Sequence, residues 1–299
     1  MIHSARRRTL LLTAATLPLT FAVSARAAAS MSASSTSTSA ETLLAELERS
    51  SGGRLGVSAL NTASGERIGY RAEERFPFCS TFKLILSAAI LARSTQDSGL
   101  MQRRIRYAAS DLVSSSPLTT KHLAEGMTVG ELCAATLQIS DNTAANLLIN
   151  VLGGPAEVTA YARSIGNESF HLDRTETTLN TAIPGDTRDT ATPASMALSV
   201  QTLVLGESLP QAQRTQLTAW LRANRLGDQR IRAGVPADWQ VADKTGTGEH
   251  GTANDIGVLW RPTGAPIVLA LYYTQGSEDE KVHSGVLAAA ARIVASAFG

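Results

Sequence analysis

Apolar and polar positions along the chain fall into distinct textures. A mostly apolar run from Leu10 to Val23 follows Arg6-Arg7-Arg8 and precedes Ala25-Arg26-Ala27. From Ala28 to Ala40 nearly every residue is Ser, Thr or Ala, a composition with too little apolar surface to order itself. Helical spacing then covers Glu41 to Arg49. Leu55 to Leu60 and Arg67 to Tyr70 carry strand texture, joined by Thr62-Ala63-Ser64-Gly65, and predict a β-hairpin with a glycine turn. From Ser80 to about Leu221 helical spacing returns, as in Leu84, Ala88 and Leu91 or Leu147, Leu148 and Val151, with Gly and Pro between segments. Two β-rich runs, Asp255 to Trp260 and Ile267 to Thr274, and a closing helix from about Asp279 to Phe298 complete the pattern.

Strands near both ends with helices between them predict an antiparallel sheet completed by the two chain ends, with a helical domain inserted into it. The expected division is an export signal over 1–27, a spacer over 28–40, an α/β domain from 41–76 and 223–299, and an all-helical domain over 77–222. A cleft is expected between the two domains.

The run Leu10 to Val23 is too short to span a bilayer core, which takes about 20 residues. With its arginines and the small-x-small site at Ala25-Arg26-Ala27, it predicts a cleaved export signal. Arg7-Arg8-Thr9-Leu10-Leu11 points to the twin-arginine route and a periplasmic product, although Arg6 stands where Ser or Thr is usual. No other stretch approaches spanning length, so no membrane contact is expected after signal removal. A net charge of +1 gives no reason to expect nucleic acid, and small-molecule partners and a monomer are expected. The two cysteines, Cys79 and Cys133, make neither a disulfide framework nor a zinc site, and no two histidines stand at metal-binding spacing, so no metal is expected.

The chemistry lies in three short elements. Of the four lysines, only Lys83 has a serine three residues before it, in Ser80-Thr81-Phe82-Lys83. On a helix these two share a face, so the amine can take the hydroxyl proton, while a serine at a helix start also has backbone N–H groups able to hold an oxyanion. Next comes Ser140-Asp141-Asn142 ahead of the helical run Thr143 to Val151. These are helix-capping residues, and equally a proton-relaying hydroxyl at Ser140 and an amide donor at Asn142. The third is Lys244-Thr245-Gly246-Thr247-Gly248, a lysine and hydroxyls suited to a carboxylate, with glycines that permit close backbone approach.

In this order the elements resemble those of the penicillin-recognising serine enzymes. The likeness runs from about Glu41 to the C-terminus and takes in Arg75-Phe76-Pro77 and Asp111 to Leu123. In Arg174-Thr175-Glu176-Thr177-Thr178-Leu179-Asn180 the chain resembles the omega loop of class A β-lactamases. The resemblance implies a five-stranded antiparallel sheet flanked by N- and C-terminal helices with an inserted all-helical domain. It implies hydrolysis of penicillins and cephalosporins through a Ser80 acyl-enzyme, with Lys83, Ser140 and Glu176 catalytic and no cofactor. It further implies that Glu176 and Asn180 hold the hydrolytic water, that Arg174 and Asp189 close the loop's neck, and that the N–H groups of Ser80 and Thr247 form the oxyanion hole. Asn142, Lys244, Thr245, Gly246 and Thr247 would bind substrate. A D-alanyl-D-alanine peptidase or a β-lactam sensor domain would share the three elements but lack Glu176 and Asn180 or a free-standing chain.

Three positions depart from the family pattern. Ala253 occupies a site that often supplies a carboxylate-binding arginine, and Arg230 matches the alternative source. Ser115 stands where an aromatic usually forms one wall of the cleft. The family's disulfide partners for Cys79 and Cys133 fall at Gly248 and Ser87, so neither bond can form.

Overall fold

The computed structural model describes residues 39–299 and Met1; the predicted leader and nearly all of the spacer lie outside the described residues. Helix α1 covers 39–51, so it starts slightly before the expected Glu41, with Ala40 already buried. The hairpin follows as β1 (Arg54–Asn61) and β2 (Arg67–Tyr70). The chain returns to the sheet as β3 (Gln240–Thr247), β4 (Ala253–Trp260) and β5 (Ile267–Thr274). These five strands form one antiparallel sheet in the order β2-β1-β5-β4-β3.

Both faces of the sheet are covered, which explains why β5 reads as an unbroken apolar run rather than an alternation. Leu269, Leu271 and Tyr273 point into one core with Leu44 of α1 and Leu287 of the C-terminal helix. Val268, Ala270 and Tyr272, one residue out of phase, point into the other, shared with the helices between the two halves of the sheet. The helices that matter for the site are α2 (Lys83–Ser94), α3 (Val129–Gln138) and α4 (Asn142–Leu152). The closing helix α5 (Ser284–Phe298) starts about five residues later than its apolar spacing predicts. Residues 276–283 are exposed and mostly polar, so they have no apolar face to bury before Val286.

One strand was not expected. The Lys-Thr-Gly element does precede the β-rich run now seen as β4, but it is also the end of a strand, β3, paired through Lys244 with Ile256 and through Thr247 with Ala253.

Candidate active site

The turn before α2 is held from beneath and from both sides. Phe78 and Phe82 are fully buried, Phe78 N donates to Asp189 O, and the Asn254 side chain donates to Pro77 O (2.8 Å) and Phe78 O (3.0 Å). Cys79 takes a positive φ of 46°, a conformation rare outside glycine, and Ser80 follows in a 3-10 turn, Cys79–Phe82. In such a turn residues three apart eclipse, which brings Lys83 to the same side as Ser80. The amine does not hydrogen-bond the hydroxyl directly, as the sequence led one to expect. Ser80 Oγ donates instead to Glu176 Oε1 (3.2 Å), and Lys83 Nζ meets the same carboxylate oxygen at 2.9 Å.

Lys83 is wholly enclosed. Its ammonium donates to Ser140 O (2.8 Å), Ser140 Oγ (3.1 Å) and Asn142 Oδ1 (2.6 Å). Burial pushes it below the usual lysine range, and the Glu176 carboxylate pulls it back up. Of Ser140-Asp141-Asn142 only the middle residue caps the helix, and Asn142, expected as an amide donor, accepts from Lys83 through its Oδ1. Asp141 caps α4 through Ala144 N and also accepts from Leu118 N, Thr119 N and the Thr119 hydroxyl. The flanking residues turn the other way: Ser140, with φ 58°, and Asn142, whose amide also donates to Ser114 O, face the cleft.

The loop carrying Glu176 is buried at its centre, unlike the polar surface loop that its bare sequence suggests. Glu176 Oε2 accepts from Asn180 Nδ2 (2.5 Å). The Arg174 guanidinium pairs with the buried Asp189 and donates to the Thr181 hydroxyl, closing the loop at its neck. Asn146 was missed in the sequence. Its side chain accepts from Glu176 N (2.9 Å) and donates to Glu176 O (2.8 Å), clamping the backbone of that residue from both sides. It stands four positions after Asn142 on α4, so the shared helix face was the available signal.

Lys244 enters from β3, also fully buried. Its amine donates to Ser140 Oγ (3.1 Å) and to Thr245 O (2.8 Å). Burial, and secondly the like charge of Lys83, drive it well below the usual lysine range. Arg230 is no ordinary surface arginine, being only 7% exposed. It donates to Gly246 O (2.6 Å), Asn254 O (2.7 Å), Thr247 Oγ1 (2.7 Å) and Ser284 Oγ (3.3 Å). Ala253 is fully buried beside it in sequence register with Thr247. Asn254, unmarked in the sequence, thus touches both the nucleophile turn and Arg230.

Gly246 in β3 and Gly248 just after it are packing residues as well as lying beside the cleft. A Cβ on Gly246 would lie 2.8 Å from Phe78 O, and one on Gly248 would lie 2.6 Å from Asn180 O and 2.7 Å from Cys79 Sγ. Both cysteines are free and buried. A cleft of about 1160 Å³ collects Ser80, Ser140, Asn142, Asn180, Arg230, Thr245 and Thr247, with Ser115 and Leu226 among the other wall residues. Lys83, Glu176 and Lys244 lie just behind this wall. The arrangement offers a hydroxyl nucleophile on a carboxylate, a second hydroxyl between two amines, and a cationic end suited to an anion.

Residues 39–298 match the model of the β-lactamase enzyme family. The chain is 56% identical to β-lactamase OXY-2 of Klebsiella oxytoca over 251 residues, covering 84% of this chain and 87% of that protein. Among solved structures it resembles the β-lactamase of Desulfarculus baarsii DSM 2075, with a TM-score of 0.87 and 55% identity over 88% of this chain and 98% of that one. It also resembles a mutant of the reconstructed class A β-lactamase of the last common ancestor of Gram-negative bacteria. There the TM-score is 0.84 and the identity 56%, over 87% of this chain and 98% of the other.

Proposed function

The chain belongs to the β-lactamase enzyme family as a class A serine enzyme, hydrolysing β-lactams and so conferring resistance, and from that premise we propose how its residues divide the reaction. In acylation the Ser80 proton passes to Glu176 Oε1 while Oγ adds to the lactam carbonyl carbon, whose oxygen faces the N–H groups of Ser80 and Thr247. The C–N bond then breaks, and the ring nitrogen takes a proton from Ser140 Oγ, which is replenished from the ammonium of Lys83. Glu176 then returns its proton to the neutral Lys83 amine, 2.9 Å away, so that both are charged again before the second half. In deacylation the Glu176 carboxylate takes a proton from a water whose other contact is the Asn180 side chain, whose buried Oδ1 has no partner among the described residues. Hydroxide adds to the ester carbon, and Ser80 leaves with its proton restored. Lys244, Thr245, Thr247 and Arg230 hold the substrate carboxylate.

The observation that supports this division is the Glu176 carboxylate, with one oxygen on both Ser80 and Lys83 and the other on Asn180. Peptide mapping of the protein after a short incubation with benzylpenicillin tests it. The adduct is expected on Ser80, and an adduct elsewhere would overturn the assignment.

The mature protein is proposed to be a periplasmic monomer exported by the twin-arginine route. The arginines before Leu10 and the Ala25-Arg26-Ala27 site support this, and no described helix is long and apolar enough to cross a membrane. N-terminal sequencing of the periplasmic fraction should begin at Ala28, and light scattering should give the monomer mass.

A further inference from the structure

Leu226 is the one large apolar side chain that is both exposed, at 47%, and on the wall of the catalytic cleft among the described residues. Exposed leucines are common and most need no explanation. This one differs in being held rigidly where it is. Asn224 Nδ2 donates to the buried Asp243 (2.6 Å) and its Oδ1 accepts from Leu226 N (3.1 Å). Arg225 N donates to Gln138 O (2.9 Å), two residues before Ser140, and Arg230 N donates to Gly227 O (3.0 Å). Gly227 lies so close to Asp243 that a Cβ would come within 2.0 Å of its carboxylate. The turn is therefore fixed at both ends, to Gln138 at the end of α3 on one side and to Arg230 on the other, and Leu226 belongs to neither hydrophobic core. A rigid apolar group left in solvent at a cleft rim is a preorganised contact for something that enters the cleft.

We propose that Leu226 is a specificity-determining residue that packs against the apolar ring substituent next to the substrate carboxylate. The inference rests on the placement of that carboxylate between Lys244, Thr245, Thr247 and Arg230. In a penicillin the atoms beside the carboxylate carry two methyl groups, and in a cephalosporin the neighbouring ring carbon carries a variable substituent. With the carboxylate held there, this substituent faces the span between Ser140 and Arg230 from which Leu226 projects. Ser115 offers no aromatic surface elsewhere on the wall, so the apolar contact in the cleft comes from Leu226 together with Val113, Pro117 and Ile139.

The test compares two cephalosporins identical except for hydrogen or an apolar group on the ring carbon next to the carboxylate-bearing carbon. Leu226→Ala should raise KM about tenfold for the apolar compound and at most about twofold for the hydrogen compound, the scale set by a few methylenes in a hydrophobic contact. Leu226→Met should restore most of the difference. Equal effects on both compounds, or no effect on either, would overturn the proposal. Peptide mapping of the wild-type adduct separates this failure from that of the underlying assignment. With the adduct on Ser80 and the two compounds affected equally, only the role of Leu226 falls; with the adduct elsewhere, the placement of the site falls with it.

Discussion

Lys83 and Lys244 converge on a single atom: Ser140 Oγ lies 3.1 Å from each ammonium nitrogen. Two enclosed cations this close disfavour each other's charge, and the hydroxyl between them is the acceptor they share. An oxygen facing two proton-bearing amines is well placed to pass a proton on to a leaving nitrogen. Ser140→Ala should therefore slow acylation by about two to three orders of magnitude, within the range for losing a positioned proton donor. Stopped-flow with a chromogenic cephalosporin measures this directly, and an acylation rate within about threefold of wild type would remove Ser140 from the proton path.

In the proposed division Glu176 serves both halves of the reaction. Glu176→Gln should leave a long-lived adduct with benzylpenicillin in the mass spectrum, because the ester then meets an unactivated water. The contact between Ser80 Oγ and Glu176 Oε1 adds that the same variant should acylate more slowly, by about a hundredfold. Rapid turnover without an adduct would place the deacylating base elsewhere.

Asn146 holds the backbone of Glu176 rather than its reacting atoms. Asn146→Ala leaves two buried backbone groups unsatisfied, a loss of about 2 to 4 kcal/mol of stability. Displacement of the carboxylate should lower kcat by about tenfold or more and let acyl-enzyme accumulate. A variant with a lowered Tm but wild-type kcat and no accumulated adduct would reduce Asn146 to a purely structural part.

Arg230→Ala should lower kcat/KM for penicillins by about one to two orders of magnitude, the worth of a charge-assisted hydrogen bond of about 1.5 to 3 kcal/mol. Its four protein acceptors mean that stability falls as well, so the variant should melt several degrees lower. Unchanged kinetics on several penicillins would leave the carboxylate to Lys244, Thr245 and Thr247.

Burial pushes the Cys133 thiol well above the usual thiol range, so it stays neutral in the folded chain at pH values where the unfolded thiol ionises. A raised folded-state value gives stability that is complete below the unfolded thiol's range, about 8.5, and is lost as pH climbs above it. The stability difference between wild type and Cys133→Ala should therefore shrink by about 1.4 kcal/mol per pH unit above about pH 9. Urea denaturation at several alkaline pH values measures it, and a constant difference would mean that the thiol is not sequestered.

The groups gathered at the cleft were legible in the sequence because the chemistry proposed for them ties residue types to short spacings, as in Ser80 with Lys83 or Ser140 with Asn142. The supports were not, because their contacts close over long stretches of chain. Asn146 meets Glu176 across 30 residues, and Asn254 meets Phe78 across 176. The hairpin and β5 stood out through turn residues and β-rich texture. β3 did not, since Asp243, Lys244 and Thr245 are polar residues in the middle of a strand, acceptable only because partners from elsewhere surround them. Arg230 was marked only by its match to the family's alternative arginine, for the same reason.

Gly248 has a consequence for how this enzyme can change. Three distant parts of the chain, at Cys79, Asn180 and Gly248, meet there with no room for one more carbon atom. Any side chain at this position must shift the end of β3, the loop at Asn180 or the turn at Cys79. The reacting residues themselves would stay unaltered. Gly248 is thus a joint at which the strand, the nucleophile turn and the loop that carries Glu176 keep one another in place.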